Sequence, residues 1–256
     1  MDEIYGGSER ADIGKDVVLT ITSGKYDKVF GGNNVSGHIF GSITVNIEQT
    51  GCLPIEIGEL YGGGNLAPYS VYGYDGNDLN YELQTGSTAY ADPQINIKSF
   101  KSIGTVYGGG YKAEMVGNPH ININVVKGWT NGEYKGTEPE EEDDYAEYKD
   151  TPKNMPETGL IGTVFGGGND ADVVGQTFVN IGTESYVTVH DVTKDVYNII
   201  KNGRSDISNP QFTESDNGST TKNLTITVEG ATITGNVYGG GNNANVTQGT
   251  NITIGH

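Results

Sequence analysis

The sequence predicts an all-β chain in which short parallel strands coil into a β-solenoid of about six rungs with long loop insertions, because self-similar units that cannot bury their own apolar face must stack on one another. Three observations carry this. An aromatic-glycine motif recurs six times: Ile4-Tyr-Gly-Gly, Val29-Phe-Gly-Gly-Asn, Leu60-Tyr-Gly-Gly-Gly-Asn, Val106-Tyr-Gly-Gly-Gly, Val164-Phe-Gly-Gly-Gly-Asn and Val237-Tyr-Gly-Gly-Gly-Asn. Stretches such as Asn251-Ile-Thr-Ile254 alternate apolar and polar residues with the period of a half-buried strand. No segment holds an i, i+3, i+4, i+7 apolar pattern of useful length, and glycine and β-branched residues disfavour helix.

The shortest interval between motif aromatics runs from Tyr5 to Phe30 and approximates one undecorated turn. Later aromatics at Tyr61, Tyr107, Phe165 and Tyr238 stand further apart, and the excess is read as insertion at about 68–93, 127–158 and 184–222. Unequal spacing of this kind suits loops leaving a stack better than equal propeller blades. The last unit shows the expected parts. Leu224–Val228, Thr232–Thr234, Val237–Tyr238 and Ala244–Val246 are short strands separated by glycine corners, and the chain then re-enters the first strand type at Asn251.

Aligning the units on that strand type yields an apolar column: Leu19/Ile21, Val45/Ile47, Ile95/Ile97, Ile121/Ile123, Val179/Ile181 and Ile252/Ile254. Between the members of each pair stands Thr20, Asn46, Asn96, Asn122, Asn180 or Thr253. Neighbouring strand residues point to opposite faces, so Val and Ile are expected inside and Asn and Thr outside. Stacked in parallel, the outer column could hydrogen-bond from strand to strand like the side-chain ladders of cross-β assemblies.

Composition bounds the function. The 256 residues include 40 glycines and 33 Asp and Glu against 15 Lys and Arg, a net charge of −18. Without a cationic cluster, nucleic acid and anionic membrane are excluded as partners. No apolar run approaches the roughly 18 residues of a transmembrane helix, and no signal-peptide core precedes Ile4. Cys52 is the single cysteine, so no intrachain disulfide forms, and it is expected to act as a small buried hydrophobe. Neither end carries a polar cap, so residues 1–256 are expected to be one solenoid domain cut from a longer protein, or a chain whose leader was removed. The acidic run Glu138–Tyr145 reads as a solvated loop.

The glycine turns lack the lysine and the following helix that a phosphate cradle requires. Calcium is the better ligand hypothesis: Gly166-Gly-Gly-Asn-Asp-Ala-Asp172 is similar to the calcium-binding β-roll nonapeptide, and oxygen-rich turns suit a hard cation. Asn169 replaces the expected fourth glycine, however, and the period is far longer than nine. A solvated turn with no cofactor is the favoured reading, and calcium is the alternative, with Asp170 and Asp172 as its candidate ligands. No pair of histidines takes metal-ligand spacing, and no catalytic residue is identified. The aromatic column either packs on itself or offers a sugar- or protein-binding face; its candidate binding residues are Tyr61, Tyr107, Phe165 and Tyr238, with Trp129 in an insertion.

The six Tyr/Phe-Gly-Gly units, with their Ala-x-Val and Val-Asn-Ile sequels, resemble the repeat regions of secreted bacterial adhesin-like proteins built as right-handed parallel β-helices. The resemblance covers the repeat cores, about 150 residues if each of the six takes about 25. It implies a secreted or surface-attached, non-enzymatic module that displays loops from a rigid shaft and binds a glycan or a host or bacterial surface protein. The alternatives are a β-helix polysaccharide lyase or glycoside hydrolase, and a purely structural stalk.

Overall fold

The computed structural model describes residues 2–50, 54–70, 72–74, 79–83, 92–126, 159–194, 197, 220–228 and 231–255. Among these, only Lys194 and Tyr197 are helical. The first sheet has seven strands: β1 (Glu3–Tyr5), β3 (Lys25–Phe30), β5 (Glu56–Tyr61), β9 (Ser102–Tyr107), β12 (Leu160–Phe165), β17 (Thr232–Ile233) and β18 (Val237–Tyr238). The last two both pair with β12. The second has six: β2 (Val17–Ile21), β4 (Ile43–Glu48), β8 (Gln94–Ser99), β11 (His120–Ile123), β14 (Gln176–Ile181) and β19 (Gly249–Ile254). Every pairing in both sheets is parallel.

This arrangement corrects the expected right-handed β-solenoid of about six rungs. The chain is mostly β, but its pairing is concentrated in two all-parallel sheets of seven and six strands, the strand order of an α/β sheet, rather than in a coil of many short strands of equal rank. The cause lies in unequal strand length. Each repeat supplies two segments of up to six residues, whereas the stretch after the glycine turn forms only β10 (Met115–Val116) and β13 (Val173–Val174) and isolated bridges, Ile13 to Ile39, Tyr69 to Met115 and Val173 to Val246. Leu224–Val228, expected to open the last unit, leaves the parallel order altogether. Its strand β16 (Lys222–Thr227) pairs antiparallel with β15 (Tyr186–Val192) in a separate ribbon. A further antiparallel pair joins β6 (Tyr72–Tyr74) and β7 (Leu79–Leu83).

Within the second sheet the two expected columns are in register. Leu19 pairs with Val45, Val45 with Ile95, Ile95 with Ile121, Ile121 with Val179, and Val179 with Ile252. One core receives Val45, Ile95, Ile121 and Val179, with Leu19 packed against it, together with Val29, Ile57, Leu60, Ile103, Val106, Ile161 and Val164 of the first sheet. Ile252 and Ile254, expected inside, are 44% and 71% exposed, because β19 ends the sheet and, among the described residues, no further strand covers them. Each fully buried Val or Ile contributes about 1.5–3 kcal/mol by transfer from water. On the opposite face of the second sheet, Asn46 donates to Thr20 at 3.4 Å, Asn96 to Asn46 at 3.0 Å, Asn122 to Asn96 at 3.0 Å and Asn180 to Asn122 at 2.9 Å. Parallel sheets are normally covered by helices on both faces. Here a polar ladder takes that place on the outer face.

The triglycine turns stack as well. Gly31 N donates to Tyr61 O, Gly62 N to Tyr107 O, Gly108 N to Phe165 O and Gly166 N to Tyr238 O, all at 2.8–3.0 Å. A Cβ on Gly108 would lie 2.2 Å from Gly166 O, so glycine is required for close backbone approach rather than for a left-handed φ.

Candidate functional site

The motif aromatics form one continuous stack. Successive ring centroids from Tyr5 through Phe30, Tyr61, Tyr107 and Phe165 to Tyr238 are 4.9, 4.9, 4.7, 5.1 and 4.9 Å apart, with planes within 11° of parallel. Phe30 and Tyr61 are fully buried and Tyr107 nearly so. Burial and the neighbouring Glu59, whose carboxylate accepts the Tyr61 hydroxyl at 3.0 Å, push the Tyr61 phenol far above its ordinary value. Of the aromatics proposed for binding, Tyr61, Tyr107 and Phe165 therefore have both ring faces occupied by neighbours, and Tyr238, 45% exposed, keeps an open face. Trp129, like Cys52 and the acidic run at 138–145, lies outside the described residues.

Asp170 and Asp172 are brought against the next unit rather than against each other's ligands. Asn243 Nδ2 donates to Asp170 at 3.2 Å; the backbone N of Asn245 donates to Asp172 at 2.8 Å and its Nδ2 at 3.2 Å. The backbone hydrogen bond, then the side-chain one, holds the Asp172 carboxyl below its usual value. The same contact recurs where Asn242 meets Asn169 and where Asn65 meets Asn34, both at 2.9 Å. A hard cation takes six to eight oxygen ligands. Both carboxylates are occupied by amide donors, and among the described residues no three His, Cys, Asp or Glu side chains converge.

A charged cluster that the sequence did not reveal lies at the end of β4. A register shift between Ile47 and Glu48 pairs Glu48 with Ser99 and leaves Lys98 outside the ladder, and the Lys98 ammonium pairs with the nearly buried Glu48 carboxylate. Lys98 also donates to Thr188 O at 2.9 Å, and the backbone N of His190 donates to Glu48 at 3.1 Å. Its chemistry is anchorage: it ties the β15–β16 ribbon to the second sheet. At the other end of these strands, His120, level with Gln94, is stacked on Phe178 at 4.4 Å.

A furrow of about 440 Å³ lies on the first sheet. It crosses β3, β5, β9 and β12 and ends at Thr234, just past β17, and the glycine column Gly58, Gly104 and Gly162 lines its floor. A Cβ on Gly104 would strike Gly58 O at 2.5 Å, and one on Gly162 would strike Gly104 O at 2.2 Å. Asp27, Ser102, Leu160 and Thr234 border it, and at one side Glu56 bonds Lys25 at 3.2 Å and Lys101 at 3.1 Å. Partial burial would raise the Glu56 pKa, but the hydrogen bonds from Lys101 and Lys25 outweigh it and hold the carboxyl below its usual value. Glu56 is thus fixed as an anion and has no proton to give a leaving group at neutral pH. The sequence signal for this floor is the Ile-Gly pair whose glycine stands three residues before three of the six motif aromatics, at Ile57-Gly58, Ile103-Gly104 and Ile161-Gly162.

No family model matches the chain, and neither does any curated protein or solved structure. Among the described residues, no helix is long and apolar enough to cross a membrane.

Proposed function

We propose that the chain is a non-enzymatic binding module, secreted or held at a cell surface, that offers its ligand face from a stacked, laterally bonded frame. The resemblance to adhesin-like repeat proteins supports this reading. The single observation that carries it is the furrow, whose residues stand in the same place on successive strands and so form a rigid, repeating surface along the sheet. Preorganised surfaces of that kind bind without the ordering cost of flexible loops. Glycoside hydrolysis needs a carboxylic acid poised to donate a proton beside a second carboxylate. Of the two acids that line the furrow, Asp27 and Glu56, Glu56 is instead locked in two ion pairs.

The test is to titrate the labelled chain over immobilised glycans and surface proteins while assaying turnover of acidic polysaccharides. Saturable binding without product release is expected. Release of reducing ends that disappears in Asp172→Ala would overturn the reading in favour of an enzyme, and the absence of any ligand would leave a structural stalk.

A further inference from the structure

We infer that the furrow over Gly58, Gly104 and Gly162 seats an extended, uncharged oligosaccharide laid across the strands, an assignment that rests on the binding-module reading above. Three features select this ligand class.

The floor is flat and largely apolar, made of glycine backbone with Leu160 at its margin. Each glycine is in register with the next, so the surface repeats at the strand spacing of about 4.8 Å. That interval is close to the length of one pyranose ring. A chain of such rings could therefore place each apolar C–H face on a successive glycine and repeat the contact from strand to strand.

The furrow also rejects the main competitor, an extended peptide. Peptides bind sheets by adding a strand at an edge, where backbone donors and acceptors are open. This furrow lies on the face of the sheet, and β5, β9 and β12 each have paired neighbours on both sides. A peptide laid there would bury its own amides without partners, at a cost of about 1–3 kcal/mol for each. Sugar hydroxyls face no such problem. They need only scattered partners at the rim, and the Asp27 carboxylate and Ser102 hydroxyl stand there.

Charge decides between uncharged and acidic glycans. Beside the floor, Glu56 engages both Lys25 and Lys101, Asp27 adds a second carboxylate to the lining, and the chain as a whole carries −18. An acidic polysaccharide would be repelled at long range and would find its candidate cations engaged.

The experiment is calorimetric titration of the full chain with cellohexaose, xylohexaose, mannohexaose and chitohexaose, with oligogalacturonate as the anionic comparison. At least one neutral hexamer is expected to bind. Ser102→Trp, which fills the furrow from its border, should weaken that binding at least about tenfold, and Asp27→Ala, an exposed change that leaves the fold intact, should weaken it by about threefold to tenfold, the range of a single hydrogen bond. Unchanged circular dichroism and melting verify both variants. Undiminished binding by both variants, preference for oligogalacturonate, or failure of every neutral hexamer would overturn the assignment. If immobilised surface proteins bind while every glycan fails, the binding-module reading survives and this ligand class does not.

Discussion

Asn122 donates through Nδ2 to Asn96 Oδ1 at 3.0 Å, and the bond is repeated from Asn96 to Asn46 and from Asn180 to Asn122. Asn96 and Asn122 therefore both donate and accept along the outer face of the second sheet. Register follows directly, since a slip of one residue would place Val and Ile where the amides now pair. Asn122→Ala removes the donor to Asn96 and Gln94 and leaves the Asn180 amide without its acceptor. The expected loss is about 1–2 kcal/mol, toward the lower end of the range for orphaned partners because the ladder is only part-buried. Urea midpoints read this directly. A change within about 0.3 kcal/mol would mean that water replaces the ladder at no cost.

Glycine in the turns separates cleanly into two cases. A Cβ at Gly108 would lie 2.2 Å from Gly166 O, a backbone atom held by the next strand, whereas one at Gly240 would meet nothing within 4 Å. Gly108→Ala is expected to cost at least about 1–3 kcal/mol, the range for forced overpacking, and Gly240→Ala to stay within about 0.5 kcal/mol of the parent. Thermal melts of the two variants side by side check this. Equal stability would show that the turns need glycine for something other than close approach.

These contrasts bear on what the sequence could disclose. The Asn column, the Val/Ile column and the aromatic stack were legible because parallel in-register pairing places like on like, so that the repeat of residue types in sequence becomes adjacency in space. The sheet organisation was less legible. Alternation marks Leu224–Thr227 as a strand, but period-2 patterning specifies neither partner nor direction, and this strand turns away to meet Val187 and Val189 antiparallel. Segments that form long ladders and those that form single bridges look alike in sequence, since a two-residue strand and a six-residue strand differ little in local pattern. The Glu48–Lys98 pair depends on a one-residue register shift, and its His190 partner is 142 positions from Glu48, so no local rule could join them. The furrow was visible as recurring Ile-Gly pairs and was obscured by the stronger triglycine signal.

His120 sets a pH dependence. Burial against Phe178, only partly countered by the Asp92 carboxylate 4.0 Å away, holds its imidazole below the ordinary value of 6.5. The unfolded chain consequently takes up the proton at higher pH than the folded one. Its contribution to stability is complete above about pH 6.5 and is lost as pH falls through the lower folded value. Denaturation midpoints measured from pH 7.5 to 5 should decline in the parent, and His120→Phe, which keeps the stack and removes the titration, should decline less. Parallel curves for the two proteins would rule out His120 as the source.

Glu48 is the residue on which attachment of the β15–β16 ribbon is expected to turn. Its side chain is 4% exposed, pairs with Lys98 and accepts the His190 backbone N–H, while Lys98 reaches Thr188 of the same ribbon. The ribbon has apolar anchors too, with Val187, Val189, Leu224 and Ile226 packed with Val126 in a cluster of their own. Glu48→Ala removes the acceptor and strands the Lys98 ammonium, a change that costs about 3–5 kcal/mol when both charges are fully buried and less here, because Lys98 keeps 16% of its side-chain surface. Amide exchange should accelerate at least about tenfold across Val187–His190 and Leu224–Ile226, the counterpart of 1.4 kcal/mol in local opening. The amides of β8 and β11 should hold their rates. Glu48→Gln, which retains an acceptor for His190 but loses the charge, should fall between the two. Ribbon amides that exchange as slowly in Glu48→Ala as in the parent would assign the attachment to the Val126 cluster instead.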